Sequence, residues 1–143
     1  MTAPTTSATT ESINVQTTRR MYAAVPAGDA ETVMANIHAD IEVTYYGTAD
    51  VPYAGEYVGA AGFGEFLTKV GESVEVIAME PALIIEEGDN LAVFGHLKFR
   101  TRKMGTDFES DFAHIIELRD GKWYRFRDFA NSALVADVFR AEA

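Results

Sequence analysis

From residue 73 onward the chain reads as four long β-patterned segments, 73–86, 91–103, 107–118 and 122–130. Turn signals part each from the next: Glu87-Gly88-Asp89-Asn90, Met104-Gly105-Thr106 and Asp120-Gly121. Apolar and polar residues alternate along these segments, so each offers one face to a core and one to water. Connections this short join antiparallel neighbours. The second half is therefore expected to form an antiparallel meander, and whatever precedes it must cover one face of that sheet.

The first half supplies helices. Residues 1–11 are rich in Thr, Ser and Ala without periodicity and read as a disordered tail. Helical spacing begins at Ser12 with Ile13, Thr17, Met21 and Ala24, and Pro26-Ala27-Gly28 ends it. Asp29 looks like the N-cap of a short helix over about 30–38, with Val33, Met34 and Ile37 inward. Residues 41–46 alternate as a strand, 47–58 read as loop with a short strand at 56–58, and Phe63, Phe66, Leu67 and Val70 mark a third helix over 59–70. A last helix is expected over 131–141, with Leu134, Val135, Val138 and Phe139 inward. The expectation is one α+β domain over 12–143. A strongly curved mixed or antiparallel sheet would wrap around N-terminal helices as a cone with an internal pocket.

Composition narrows the partners. A net charge of −10 over 143 residues argues against nucleic acid and anionic membrane surfaces. With no cysteine and only His38, His96 and His114, neither a thiolate site nor a histidine-rich metal site is expected. No apolar run is long enough to span a bilayer. The start, MTAPTTSATTES, lacks the basic and apolar regions of a signal peptide, so a cytoplasmic location is expected.

Two polar residues interrupt the last hairpin, HIIELRDGKWYRFRDF over 114–129. A two-residue loop at Asp120-Gly121 would put His114 and Asp128 on opposite faces. A three-residue loop, 119–121, pairs Leu118 with Lys122. It gathers Phe112, His114, Ile116, Leu118, Tyr124, Phe126 and Asp128 on one apolar face. The burial pattern favours the second register, with His114 opposite Phe126 and diagonal to Asp128. Trp123 then falls on the outer face, as a subunit-interface candidate. A histidine and an aspartate in an apolar pocket can act as general acid and base. They can equally satisfy each other as a structural pair, or the aspartate can cap the last helix.

The sequence resembles the SnoaL-like, ketosteroid-isomerase-related branch of the nuclear transport factor 2 superfamily. The resemblance spans about residues 13–140. It rests on Arg20-Met21-Tyr22 with Gly28-Asp29, on 40–43, on Pro52-Tyr53-Ala54-Gly55-Glu56-Tyr57 with Gly59, on 114–122, on Phe126-Arg127-Asp128-Phe129 and on 132–136. It implies a small-molecule enzyme working by proton abstraction, cyclisation or isomerisation on an apolar, oxygenated substrate, without cofactor or metal. It implies Asp128 as the base, and His114 as its orienting partner or as a donor to an enolate oxygen. Epoxide-hydrolase-like relatives add an Arg-x-Asp on an earlier strand. Here that region reads Lys98-Phe99-Arg100-Thr101-Arg102, without the carboxylate, which disfavours their reaction. A steroid-type base would fall at about Tyr46. A ligand-binding protein with no reaction is the alternative.

Tyr22, Tyr46, Phe63, Phe112, Phe126 and Arg100 are candidates for the pocket wall. Tyr45, Tyr53 and Tyr57 could line it or fill core. His96, Lys98, Arg100 and Arg102 share a strand face, read as a substrate-orienting strip or as solvated surface. His38 suits a helix end. The fold often dimerises through the outer sheet face, so a homodimer is expected.

Overall fold

The Ser12 hydroxyl accepts the Val15 N–H and starts helix α1 (Ile13–Ala27). Gly28, at φ 69°, ends it in the left-handed region that glycine enters without strain. Asp29 caps α2 (Ala30–Ala35), accepting from the Thr32 N–H and hydroxyl. The structure, a computed structural model, describes residues 10–143. The tail expected over 1–11 lies outside them except for Thr10 and Glu11, and Glu11 accepts from Arg19 Nε at 2.9 Å. Helix α2 stops short of residue 38 because strand β1 (Ile37–Tyr45) begins early, with Ile37 beside Trp123. His38 is thus on a strand, edge-on to Tyr124, and not at a helix end.

Next come β2 (Gly55–Val58), α3 (Gly59–Ser73), β3 (Val74–Glu87), β4 (Asn90–Thr101), β5 (Asp107–Arg119), β6 (Lys122–Ala130) and α4 (Ser132–Ala141). The six strands form one open, curved sheet in the order β2-β1-β6-β5-β4-β3. It is mixed: β1 runs parallel to β6, and its other neighbours are antiparallel. Register shifts at 76–78 and 81–83 bend β3. Among the described residues no helix is long and apolar enough to cross a membrane.

Inner-face residues and the helices that cover them share one core, from Met21 on α1 to Phe139 on α4. Side-chain bonds pin α1 across the sheet: Ser12 to Glu86 at 2.6 Å and Thr17 to the Gly121 carbonyl at 2.9 Å. At the other end Glu142 accepts from the Thr101 and Thr106 hydroxyls, both at 2.7 Å, tying the end of α4 to the β4–β5 turn.

The last hairpin differs from expectation. Asp120 (φ 52°) and Gly121 (φ 73°) are both left-handed, so the loop has two residues, and Arg119 pairs with Lys122. The register then shifts. Leu118 pairs with Trp123 but Glu117 pairs with Arg125, so Tyr124 is the extra residue of a bulge. The bulge restores the parity that the short turn would have reversed, and His114 faces Asp128 directly instead of diagonally. Trp123, expected outside, is turned inward at 3% exposure, and its Nε1 donates to Thr18 Oγ1 at 3.0 Å. Tyr124, expected inside, is half-buried under the Arg119 guanidinium, 3.7 Å from its ring centroid.

Candidate active site

Strand alternation sends His114 inward from the middle of β5, where it is 2% exposed. Its ring stacks on Phe112 with centroids 4.3 Å apart and meets Phe126 edge-on at 4.7 Å. Nε2 lies 3.1 Å from Asp128 Oδ1, and Nδ1 lies 2.5 Å from the Tyr22 hydroxyl. Burial first, and then the Asp128 charge, push the Tyr22 phenol well above its ordinary value. Tyr22 therefore keeps its proton. An ionised Asp128 can only accept, so the imidazole donates to it from Nε2, and in the neutral ring the remaining nitrogen, Nδ1, accepts from the Tyr22 hydroxyl. The second carboxylate oxygen of Asp128 takes no protein hydrogen bond among the described residues.

Phe112 is held behind His114 by a glycine. Gly95 is its partner on β4, and a Cβ there would collide with the Glu80 carbonyl and the Phe112 ring. The ring fills that space, supporting His114 from the back.

The line Tyr22–His114–Asp128 forms one wall of a cavity of about 60 Å³. The other walls are apolar and mostly aromatic: Phe63 and Phe66 of α3, Phe99 of β4, Phe108 of β5, Trp123 and Phe126 of β6. Tyr45 and Tyr53 reach the same space, and among the described residues no lysine or arginine does. Val25, Leu67, Val70 and Val76 line both this cavity and an outer groove of about 450 Å³ beside the ends of α1 and α3. Among the described residues no group of three His, Asp or Glu side chains is arranged to hold a metal ion.

Of the candidates from sequence, Tyr22, Phe63, Phe126, His114 and Asp128 meet at the cavity. Three others do not. Phe112 lies behind the wall. Tyr46 follows the inward Tyr45, so it points out and stacks on Phe129 at 4.5 Å. Arg100 follows the inward Phe99, so it points out and pairs with Asp107, Nε to Oδ1 at 2.6 Å. His96, on the same outer strip, bonds Glu109 at 2.8 Å and Asp111 at 3.0 Å. Sequence reasoning missed Trp123, Met21, Phe99 and Phe108 on the wall. The three-residue spacing of Trp123 and Phe126 was the signal, since two large apolar residues at that spacing share a strand face only across a bulge.

Comparison with known proteins agrees with this fold. The model of the SnoaL-like domain family matches residues 18–126. Among solved structures, an NTF2-like protein from Burkholderia xenovorans LB400 is 29% identical with a TM-score of 0.78, over 87% of this chain and 94% of that one. TerC, crystallised with polyporic acid, is 28% identical with a TM-score of 0.82, over 90% and 99%. A protein described as a SnoaL-like polyketide cyclase, from Jannaschia sp. CCS1, shares the fold at 18% identity, with a TM-score of 0.76 over 96% and 99%. No curated protein sequence matches the chain.

Proposed function

The chain belongs to the SnoaL-like domain family, and on that premise we propose that its cavity transfers a proton on a small, apolar, oxygenated molecule. The observation that carries this reading is the line Tyr22–His114–Asp128, which brings a carboxylate to an otherwise apolar wall. In this reading Asp128 is the general base and takes an acidic C–H proton with its unpaired oxygen. His114 holds the other oxygen, and Tyr22 fixes the imidazole. With both ring nitrogens engaged, His114 orients the base and does not serve the substrate oxygen. The enolate so formed either regains the proton at a new carbon, an isomerisation, or attacks a second carbonyl, a cyclisation. Neither step needs a metal or an organic cofactor. The co-crystal of TerC with polyporic acid supports a small organic ligand in this fold.

The test is deuterium uptake at the α-carbons of 2-indanone in heavy water, followed by NMR. The native protein accelerates uptake, and Asp128→Asn slows it by about 10²–10⁴-fold, the usual contribution of a positioned base. Uptake undiminished in Asp128→Asn rejects the base assignment.

A second reading, ligand binding without reaction, is favoured by one observation: both nitrogens of His114 are satisfied within the protein. Ligand binding with no accelerated uptake for 2-indanone would support it. Epoxide hydrolysis is third, because β4 turns Leu97, Phe99 and Thr101 inward and offers no second carboxylate. A homodimer through the outer face is also proposed. Phe94, Ile115 and Phe129 are exposed there, and sedimentation of the native protein as a monomer would count against it.

A further inference from the structure

Removing a proton beside a carbonyl leaves negative charge on oxygen, and catalysis requires a donor already aimed at that oxygen. The line just described uses up its own donors. The Tyr22 proton is committed to Nδ1 and the imidazole proton to Asp128. Redirecting either one would break a buried hydrogen bond, which is costly.

Two other phenols reach the cavity. Tyr45 is the Cα partner of Asp128 in the parallel ladder of β1 and β6. Paired residues send their side chains to the same face from backbones about 5 Å apart. Tyr53 comes from the loop before β2, and its ring meets Tyr45 edge-on with centroids 4.9 Å apart. Tyr45 is 7% exposed and Tyr53 1%. Burial first, and then the Asp128 charge, raise Tyr45, and burial first raises Tyr53. Tyr45 is thus a protonated donor with a second phenol packed against its ring. The α-hydrogen and the carbonyl oxygen of a carbon acid sit on adjacent carbons. Base and donor must therefore stand side by side, as Asp128 and Tyr45 do on neighbouring strands.

We propose that Tyr45, backed by Tyr53, donates the hydrogen bond to the substrate oxygen that becomes negative as Asp128 takes the proton. The inference rests on the proton-transfer reading above. The C–H bond breaks and its electron pair forms the new C=C bond. The carbonyl π pair moves to oxygen, and the proton passes to Asp128. Tyr45 keeps its own proton and shares it with the enolate oxygen.

The experiment uses 4-nitrophenol, whose phenolate mimics an enolate and reports binding through its visible band. 4-Nitrotoluene serves as the uncharged control. Measurements are made in the full chain carrying Asp128→Asn, so that neither the base nor its charge contributes. Adding Tyr45→Phe should lower phenolate affinity by about 10–100-fold, the factor for one hydrogen bond to a charged group. Tyr53→Phe should lower it less. Tyr22→Phe should lower it less than Tyr45→Phe does, and 4-nitrotoluene affinity should hold throughout, showing that the cavity survives. Unchanged phenolate affinity in Tyr45→Phe, a larger loss in Tyr22→Phe, or no phenolate binding in the parent would each overturn the assignment. Because nothing turns over in this measurement, its failure is separate from failure of the deuterium-uptake test.

Discussion

His114 and His96 sit on adjacent strands of one sheet, and each has both ring nitrogens hydrogen-bonded. They face opposite sides. His96 lies between Glu109 and Asp111 with all three side chains half exposed or more. Those partners, Glu109 first, raise its pKa above the ordinary histidine value and favour the cation. His114 is enclosed, and one of its partners is a phenol that burial keeps protonated. One ring is held in water between two carboxylates, and the other is held in the core between a helix phenol and a carboxylate. The number of partners is the same. The face of the strand decides which chemistry results, because water screens one set of bonds and not the other.

The comparison breaks if the two histidines respond alike to removal. His114→Ala leaves Asp128 and Tyr22 without their partner inside the core and opens a void. The expected cost is about 3–5 kcal/mol in denaturant unfolding. A loss no greater than that of an exposed residue would mean the line relaxes into water. One strand over, Gly95→Ala should cost about 1–3 kcal/mol by driving Phe112 toward His114. It should also shift the His114 ring resonances, although its neighbour in sequence is the tolerant His96. The smallest effect is on pH dependence. The folded-state pKa of His96 is raised, so its contribution is complete below about pH 6.5 and is lost as pH climbs through the raised value. His96→Gln should flatten that part of the midpoint-against-pH curve, and high salt should flatten the native curve in the same way.

The last hairpin illustrates what can be read from sequence. Arg125, Phe126, Arg127 and Asp128 alternate so clearly that their faces were legible, and with them the meeting of Asp128 and His114. The turn was legible as a turn, but its length was not. Tyr124 carries no glycine or proline to announce a bulge, so an argument from alternation had to absorb the odd residue in the loop and sent Trp123 to the wrong face. Helix α1 was legible through Ser12 and Gly28, since caps are local. The early start of β1 at Ile37 was not, since it depends on Trp123, distant in sequence. Arg100 and Tyr46 drew notice for their chemistry, while the parity of Phe99 and Tyr45 beside them turned them outward.

A cavity of about 60 Å³ has a kinetic consequence. A space of about 150 Å³ holds a benzene-sized guest, so any ring-sized ligand must first push lining side chains apart. Association would then draw on the fraction of molecules in the expanded state. Smaller side chains at Val25, Leu67, Val70 and Val76, which line both the cavity and the outer groove, should raise that fraction and speed ligand entry.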